Sequence, residues 1–193
     1  MRKQWGVAPD AIVAGFVGRF TPQKDPVRFS EALSMARDRV PNLVGVMMGD
    51  GELRAAIETA GDAEALRMPG WVDARVALSG LDMLVMTSRY EAMPYSLLEA
   101  LSAGLPILST EVGGVDETVI DGENGRRFAN TASSAEIANV LVAAASDRQQ
   151  LTRWGAVSRE RASRYTIENM TNQTEAIYRR AIERRAAKIL LTN

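Results

Sequence analysis

Residues 83–114 read MLVMTSRYEAMPYSLLEALSAGLPILSTEVGG. The stretch opens on an apolar run, Met83 to Met86, whose length suits one strand of a buried parallel sheet. A polar loop follows through Glu91. Pro94 then opens a helix that turns Leu97, Leu98, Ala100 and Leu101 inward, since an N–H in the first turn has no intrahelical partner to lose. Ala103-Gly104 ends the helix, and Pro106-Ile107-Leu108 starts another strand. Two carboxylates, Glu91 and Glu99, bracket the strand-to-helix turn, one before the helix and one about two turns along it. Such turns lie at the carboxyl ends of parallel strands, where open α/β sheets bind ligands, and a helix N-terminus there offers free N–H groups to an anion.

Working outward, the same alternation repeats. Residues 11–17 read as a buried strand, followed by the loop Gly18-Arg19-Phe20-Thr21-Pro22-Gln23-Lys24. Asp25 caps a helix with Pro26 at its first position. Phe29, Leu33, Ala36 and Val40 supply that helix's apolar spacing, and Pro41-Asn42 ends it. Residues 43–48 form a second strand closed by Gly49-Asp50-Gly51, residues 52–60 a helix, 66–69 a weak strand, and 73–78 a short helix capped by Asp73. After the central stretch come a short helix at 115–120, the turn Asp121-Gly-Glu-Asn-Gly125 and a last strand at 126–128. From Ser133 the pattern is helical: 133–145, 148–164 and 167 to about 191. Strands alternating with helices predict an α/β fold, a doubly wound Rossmann-like parallel sheet of about six strands with helices on both faces. The whole of 1–193 reads as one domain, with 148–193 as a helical C-terminal extension. Met47, Met48, Met83 and Met86 read as core filler.

Composition narrows the chemistry. The 193 residues are 46% hydrophobic and 24% charged, with a net charge of −1. That balance provides no field to attract nucleic acid or an anionic membrane. No apolar run nears the roughly 18 residues that span a bilayer, and MRKQWGVAPD lacks the apolar core of a signal peptide, so a cytoplasmic setting is the expectation. The chain contains no cysteine and no histidine. Thiol chemistry, thiolate metal sites and the commonest general base are therefore excluded from this chain's own residues. Asp, Glu, Lys, Arg, Tyr and backbone groups remain, or a group supplied by another polypeptide.

Three clusters are candidates. Gly18 lets the chain turn sharply after the first strand, and Arg19 and Lys24 either converge on one anion, as a planar fork and a point charge, or stand as two solvated cations. The loop has neither GxxxxGK[ST] nor GxGxxG spacing. Glu91 and Glu99 read either as a catalytic carboxylate pair or as a loop and a helix-surface Glu. Glu99, set among leucines, calls for a partner. Gly113-Gly114 and Gly49-Asp50-Gly51 allow close approach of a ligand or simply punctuate loops.

Together these pieces resemble the nucleotide-sugar-binding half of the retaining GT-B glycosyltransferases, glycosyltransferase family four, from about Val13 to Arg180. Four segments carry the likeness in the family's order: FVGRFTPQKD (16–25), MMGDGELR (47–54), SRYEAMPYSLLEALSAGLPILSTEVGGVDETV (88–119) and DGENGRRF (121–128). The resemblance implies a donor site built from Gly18, Arg19, Lys24, Glu91, Tyr95, Ser96 and Glu99. Arg19 and Lys24 match the basic pair on the donor diphosphate. Glu91 matches a donor-sugar contact, Glu99 a ribose contact, and the Tyr95 and Ser96 amides a phosphate cradle. Arg19, Lys24 and Glu91 are the catalytic candidates. Ala92-Met93-Pro94 departs from the common Gly-Phe-Gly, and the Pro94 amide cannot donate. Base contacts are expected near Trp71-Val72. The expected activity is hexosyl transfer from a nucleotide diphosphate sugar to an acceptor hydroxyl, with no metal and no cofactor, in polysaccharide or glycolipid biosynthesis.

The resemblance also implies an acceptor-binding N-terminal domain that this chain lacks, and that half holds the family's histidine near the reacting sugar. The last helix is expected to pack in the ordinary way. Its Ile177, Tyr178, Ile182, Ile189 and Leu190, with Arg179, Arg180, Arg184, Arg185 and Lys188, also permit contact with that half or a peripheral membrane contact. The competing readings are a nucleotide-binding or interaction module without turnover, and a phosphosugar isomerase, which the lack of histidine disfavours.

Overall fold

The computed structural model describes the backbone through Leu190 and side chains through Arg185. Six strands form one parallel sheet: β1 (Ile12–Val17), β2 (Leu43–Met48), β3 (Leu66–Gly70), β4 (Met83–Met86), β5 (Ile107–Thr110) and β6 (Gly125–Phe128). Their order is β3-β2-β1-β4-β5-β6. Crossovers are made by α1 (Pro26–Arg37), α2 (Arg54–Ala60), α3 (Ala74–Ala77), α4 (Tyr95–Ala103) and α5 (Val115–Thr118). Three helices follow: α6 (Ser134–Ala145), α7 (Arg148–Ala162) and α8 (Ile167–Leu190). The doubly wound parallel sheet expected from the alternation is the one observed.

The strands alternate their side chains between two cores, as a pleat requires. Phe16, Met47, Val85 and Leu108 face one side, against Phe29 and Leu33 of α1, Ile57 of α2, Ile137 and Leu141 of α6 and Trp154 of α7. Val13, Val46, Leu84, Met86 and Ile107 face the other, against Leu97 and Leu101 of α4, Val115 of α5, and Trp5. The sheet is apolar on both faces because helices cover both, and this explains the near-continuous hydrophobic runs. β1 pairs with β2 from Ile12↔Leu43 to Val17↔Met48, and with β4 at Ala14↔Met83. β3, the strand with the weakest signal, is an edge strand, the position that tolerates its Pro69.

Several boundaries shift for local reasons. Pro94 is the N-cap of α4 rather than its first residue, and Gly104 closes that helix at φ 72. α1 stops at Arg37, so Val40 packs from the following turn, because a residue before proline avoids helical backbone. Leu98 is half-buried, whereas Leu97, Ala100 and Leu101 are buried as expected.

α6 has a reciprocal cap. The Ser133 hydroxyl accepts from the Glu136 amide, and the Glu136 carboxylate accepts from the Ser133 amide at 2.8 Å. Hydrogen bonds from the Ser133 amide and then its hydroxyl hold the Glu136 carboxyl below its ordinary range. Its contribution is therefore present above that range and fades as pH falls through the folded value. Ser133→Ala is expected to lower unfolding free energy by about 1 kcal/mol at neutral pH. Unchanged urea unfolding would remove the cap from the account.

The expectation for the last helix is not met. Ile167, Met170, Ile177, Tyr178 and Ile182 are 57–80% exposed. Both faces of the sheet are already covered when the chain reaches α8, and among the described residues the last hydrogen bond to the sheet layers is the Tyr165 hydroxyl donating to the Glu117 carbonyl at 2.6 Å. Leu191 and the side chains of Lys188, Ile189 and Leu190 lie outside the described residues. No helix among the described residues is long and apolar enough to cross a membrane.

Candidate functional site

The strand order reverses between β1 and β4. The loop after β1 feeds α1 on one face, and the loop after β4 feeds α4 on the other. Loops leaving in opposite directions open a crevice at the carboxyl edge, the usual ligand position in such sheets. Gly18 to Lys24 and Thr87 to Glu91 are those two loops.

The two loops meet through charge. Lys24 Nζ lies 2.5 Å from Glu91 Oε1, and their side chains are only 18% and 8% exposed. An ion pair this buried leaves a costly lone charge if either partner is removed. Arg19 follows Gly18 at the same edge and is exposed, and its guanidinium makes no hydrogen bond or ion pair among the described residues. Glu99 is half-buried on α4 and also has no hydrogen-bond or ion-pair partner among the described residues. It borders a groove of about 430 Å³ with Arg75, Leu98 and Ser102. Arg75 is held above the ordinary arginine value mainly by the hydrogen bonds it donates to Asp73, then by the Asp73 charge, with the Glu99 charge adding. Glu91 and Glu99 thus face different cations, and no hydrogen bond joins them among the described residues.

Backbone bonds hold the loops in register. The Arg89 amide donates to the Gln23 carbonyl at 2.8 Å, and Gln23 Nε2 donates to the Tyr90 carbonyl at 3.1 Å. The glycines after β5 prove to serve loop packing. A Cβ on Gly113 would sit 2.3 Å from the Glu91 carbonyl oxygen, so only glycine lets this loop buttress the one bearing Glu91. Likewise, a Cβ on Gly49 would lie 1.9 Å from the Gly18 carbonyl oxygen. The first-turn amides of Tyr95 and Ser96 have no intrahelical partner, as at any helix start. The Tyr95 ring is 80% exposed, and Trp71, just past β3, is 72% exposed.

Asp25 departs from its expected role. It occupies the cap position of α1, but at φ 47, with no side-chain bond to the helix amides. Its carboxylate instead lies 3.2 Å from Arg28 and 3.1 Å from Arg89, two cations that outbid neutral amides. Arg28 and Arg89 were not among the sequence candidates. The Asp25-Arg28 spacing was visible, but Arg89 comes from another loop. A groove of about 490 Å³ lies at the amino ends of β4 and β5 beside Asp82, Pro106 and Arg159, away from the crevice.

A parallel sheet of this order, with a charged crevice at its switch point, is the fold of one half of a GT-B glycosyltransferase. The chain belongs to the family of glycosyl transferases group 1, whose model matches residues 1–161. It is 33% identical over 117 residues to an Escherichia coli UDP-Gal:alpha-D-GlcNAc-diphosphoundecaprenol alpha-1,3-galactosyltransferase, covering 56% of this chain and 30% of that protein. A D-inositol 3-phosphate glycosyltransferase of Geodermatophilus obscurus is 30% identical over 202 residues, covering 96% of this chain and 44% of that one. Anabaena HepE, solved in complex with UDP, superposes with a TM-score of 0.81 at 24% identity, over 93% of this chain and 51% of that one. The chain spans less than half the length of these two curated relatives.

Proposed function

We propose that this chain is the donor-binding half of a retaining, metal-independent hexosyltransferase. It would hold a nucleotide diphosphate sugar while a separate acceptor-binding domain presents an acceptor hydroxyl. The observation that carries the reading is the meeting of Lys24 and Glu91 at the switch-point crevice, 2.5 Å apart.

In this reading Lys24, Arg19 and the Tyr95 and Ser96 amides hold the diphosphate. Their positive charge serves the role a divalent cation plays elsewhere, stabilising negative charge as it develops on the leaving group. Glu91 contacts the sugar, Glu99 the ribose hydroxyls, and the base lies near Trp71-Val72. The bond from the anomeric carbon to the diphosphate oxygen breaks, and the acceptor oxygen bonds that carbon from the same face. The acceptor's proton passes to the departing phosphate oxygen. The relatives matched over less than half their length support a division of labour in which the acceptor surface lies elsewhere. The exposed α8, with Arg179, Arg180, Arg184 and Arg185, is the element available to that domain or to a membrane surface.

Calorimetric titration with UDP, GDP and ADP, with and without EDTA, tests the reading. Binding of one diphosphate, unchanged by the chelator, is expected. Failure of all three to bind a folded chain would refute it. A second reading, a nucleotide-binding module without turnover, is separated by adding the acceptor-binding domain: sugar transfer then appears only under the first.

A further inference from the structure

Among the described residues, one non-glycine residue has positive φ: Asp25, at 47°. Such a conformation is disfavoured for a residue with a side chain and persists where surrounding contacts over-determine it. Asp25 directly follows Lys24, and its side chain is 11% exposed. Its carboxylate sits between Arg28 of α1 and Arg89 of the loop after β4. Arg28 in turn donates to the Thr87 carbonyl at 2.6 Å, while the Thr87 hydroxyl donates to the Asp25 carbonyl at 2.8 Å. Burial pushes the Arg28 guanidinium down from its ordinary value, with Asp25 opposing and Arg89 adding to the fall. Two arginines drawn this close need the anion between them.

We infer that Asp25 is a positioning residue: the clamp of its carboxylate on Arg28 and Arg89 sets the left-handed turn that aims Lys24 at Glu91. The loop after β1 is a single turn in which the Thr21 carbonyl accepts from the Lys24 and Asp25 amides at 3.0 and 3.1 Å, and the left-handed backbone of Asp25 sets how that turn, with Lys24 at its end, is oriented against α1. Arg89 lies two residues before Glu91, so one carboxylate registers both ends of the ion pair. The consequence for ligand binding rests on the donor reading above; the geometric role does not.

The test is a double-mutant cycle on the full chain. Lys24→Met, Glu91→Gln and their combination are compared by urea unfolding, first with Asp25 and then with Asp25→Asn, which keeps the shape and tolerates the turn. In the native background the coupling between Lys24 and Glu91 should change the folding constant by about tenfold. In Asp25→Asn it should fall below about threefold. Should Asp25→Asn fail to fold, Asp25→Gly keeps the backbone and Arg89→Gln removes one arm of the clamp from the surface, and either should give the same loss. Coupling that is absent in the native background, or equal in every background, overturns the inference. A purely structural Asp25 would lower the unfolding midpoint and leave the coupling intact. Alongside, UDP affinity should drop about tenfold in Asp25→Asn, with uridine affinity unchanged. If the native chain binds no diphosphate, the donor reading fails, while the cycle still decides the role of Asp25.

Discussion

Lys24→Ala is expected to lower the affinity for UDP by about 30-fold while uridine binds within about twofold of native. The lysine is the point charge of the crevice, at 18% side-chain exposure. A hydrogen bond to a charged group contributes about 1.5–3 kcal/mol when one partner is otherwise left unmet. Uridine lacks the diphosphate and does not report on Lys24, so it separates loss of the anion contact from loss of the site. The same variant strands the Glu91 carboxylate without its counterion, so unfolding free energy should also fall by about 1–3 kcal/mol. Equal loss of UDP and uridine binding would mean that Lys24 shapes the crevice rather than the anion contact. Calorimetry on the two ligands and one urea titration decide it.

Glu91→Gln is expected to act in the opposite direction on bare UDP. In the native chain a diphosphate must share or displace a lysine already held by Glu91 at 2.5 Å. The neutral amide keeps the shape, releases the lysine and removes a repulsive anion from the path of the phosphates. UDP should therefore bind about tenfold more tightly, near 1.4 kcal/mol. UDP-glucose should lose whatever affinity it gains over UDP, because the proposed sugar contact is the carboxylate. With the acceptor-binding domain supplied, transfer should fall about 100-fold, the scale of removing one preorganised polar contact. Weaker binding of UDP by a folded Glu91→Gln chain would sink the proposed competition between Glu91 and the diphosphate.

Particular residues show how far reading the chain reached. Apolar runs were enough to place the four inner strands β1, β2, β4 and β5, since burial on both faces demands side chains of one kind, whereas the edge strands β3 and β6 were read from the alternation with helices and turns around them. Asp73 was correctly read as a cap because a cap is local: its carboxylate accepts from the Arg75 amide, two residues on. Asp25 looked like the same device and was not, because Arg28, three residues on, draws its carboxylate together with Arg89, which reaches it only after β1 and β4 lie side by side. Gly113 read as ligand approach or punctuation, and it is the loop bearing Glu91 that presses against it. The last helix shows the reverse limit. Its apolar positions predicted packing, but periodicity says which face wants a partner and not whether one is within reach.

Local chemistry therefore settled the elements, the Asp73 cap, and the exclusion of thiol and imidazole groups from this chain, because each depends on residues a few positions apart or on composition. The meeting of Lys24 with Glu91, 67 residues on, the left-handed turn at Asp25 and the bare face of α8 were decided only by the assembled sheet. Those features follow from which strands become neighbours, and that is settled by the burial of two cores at once rather than by any one stretch of chain.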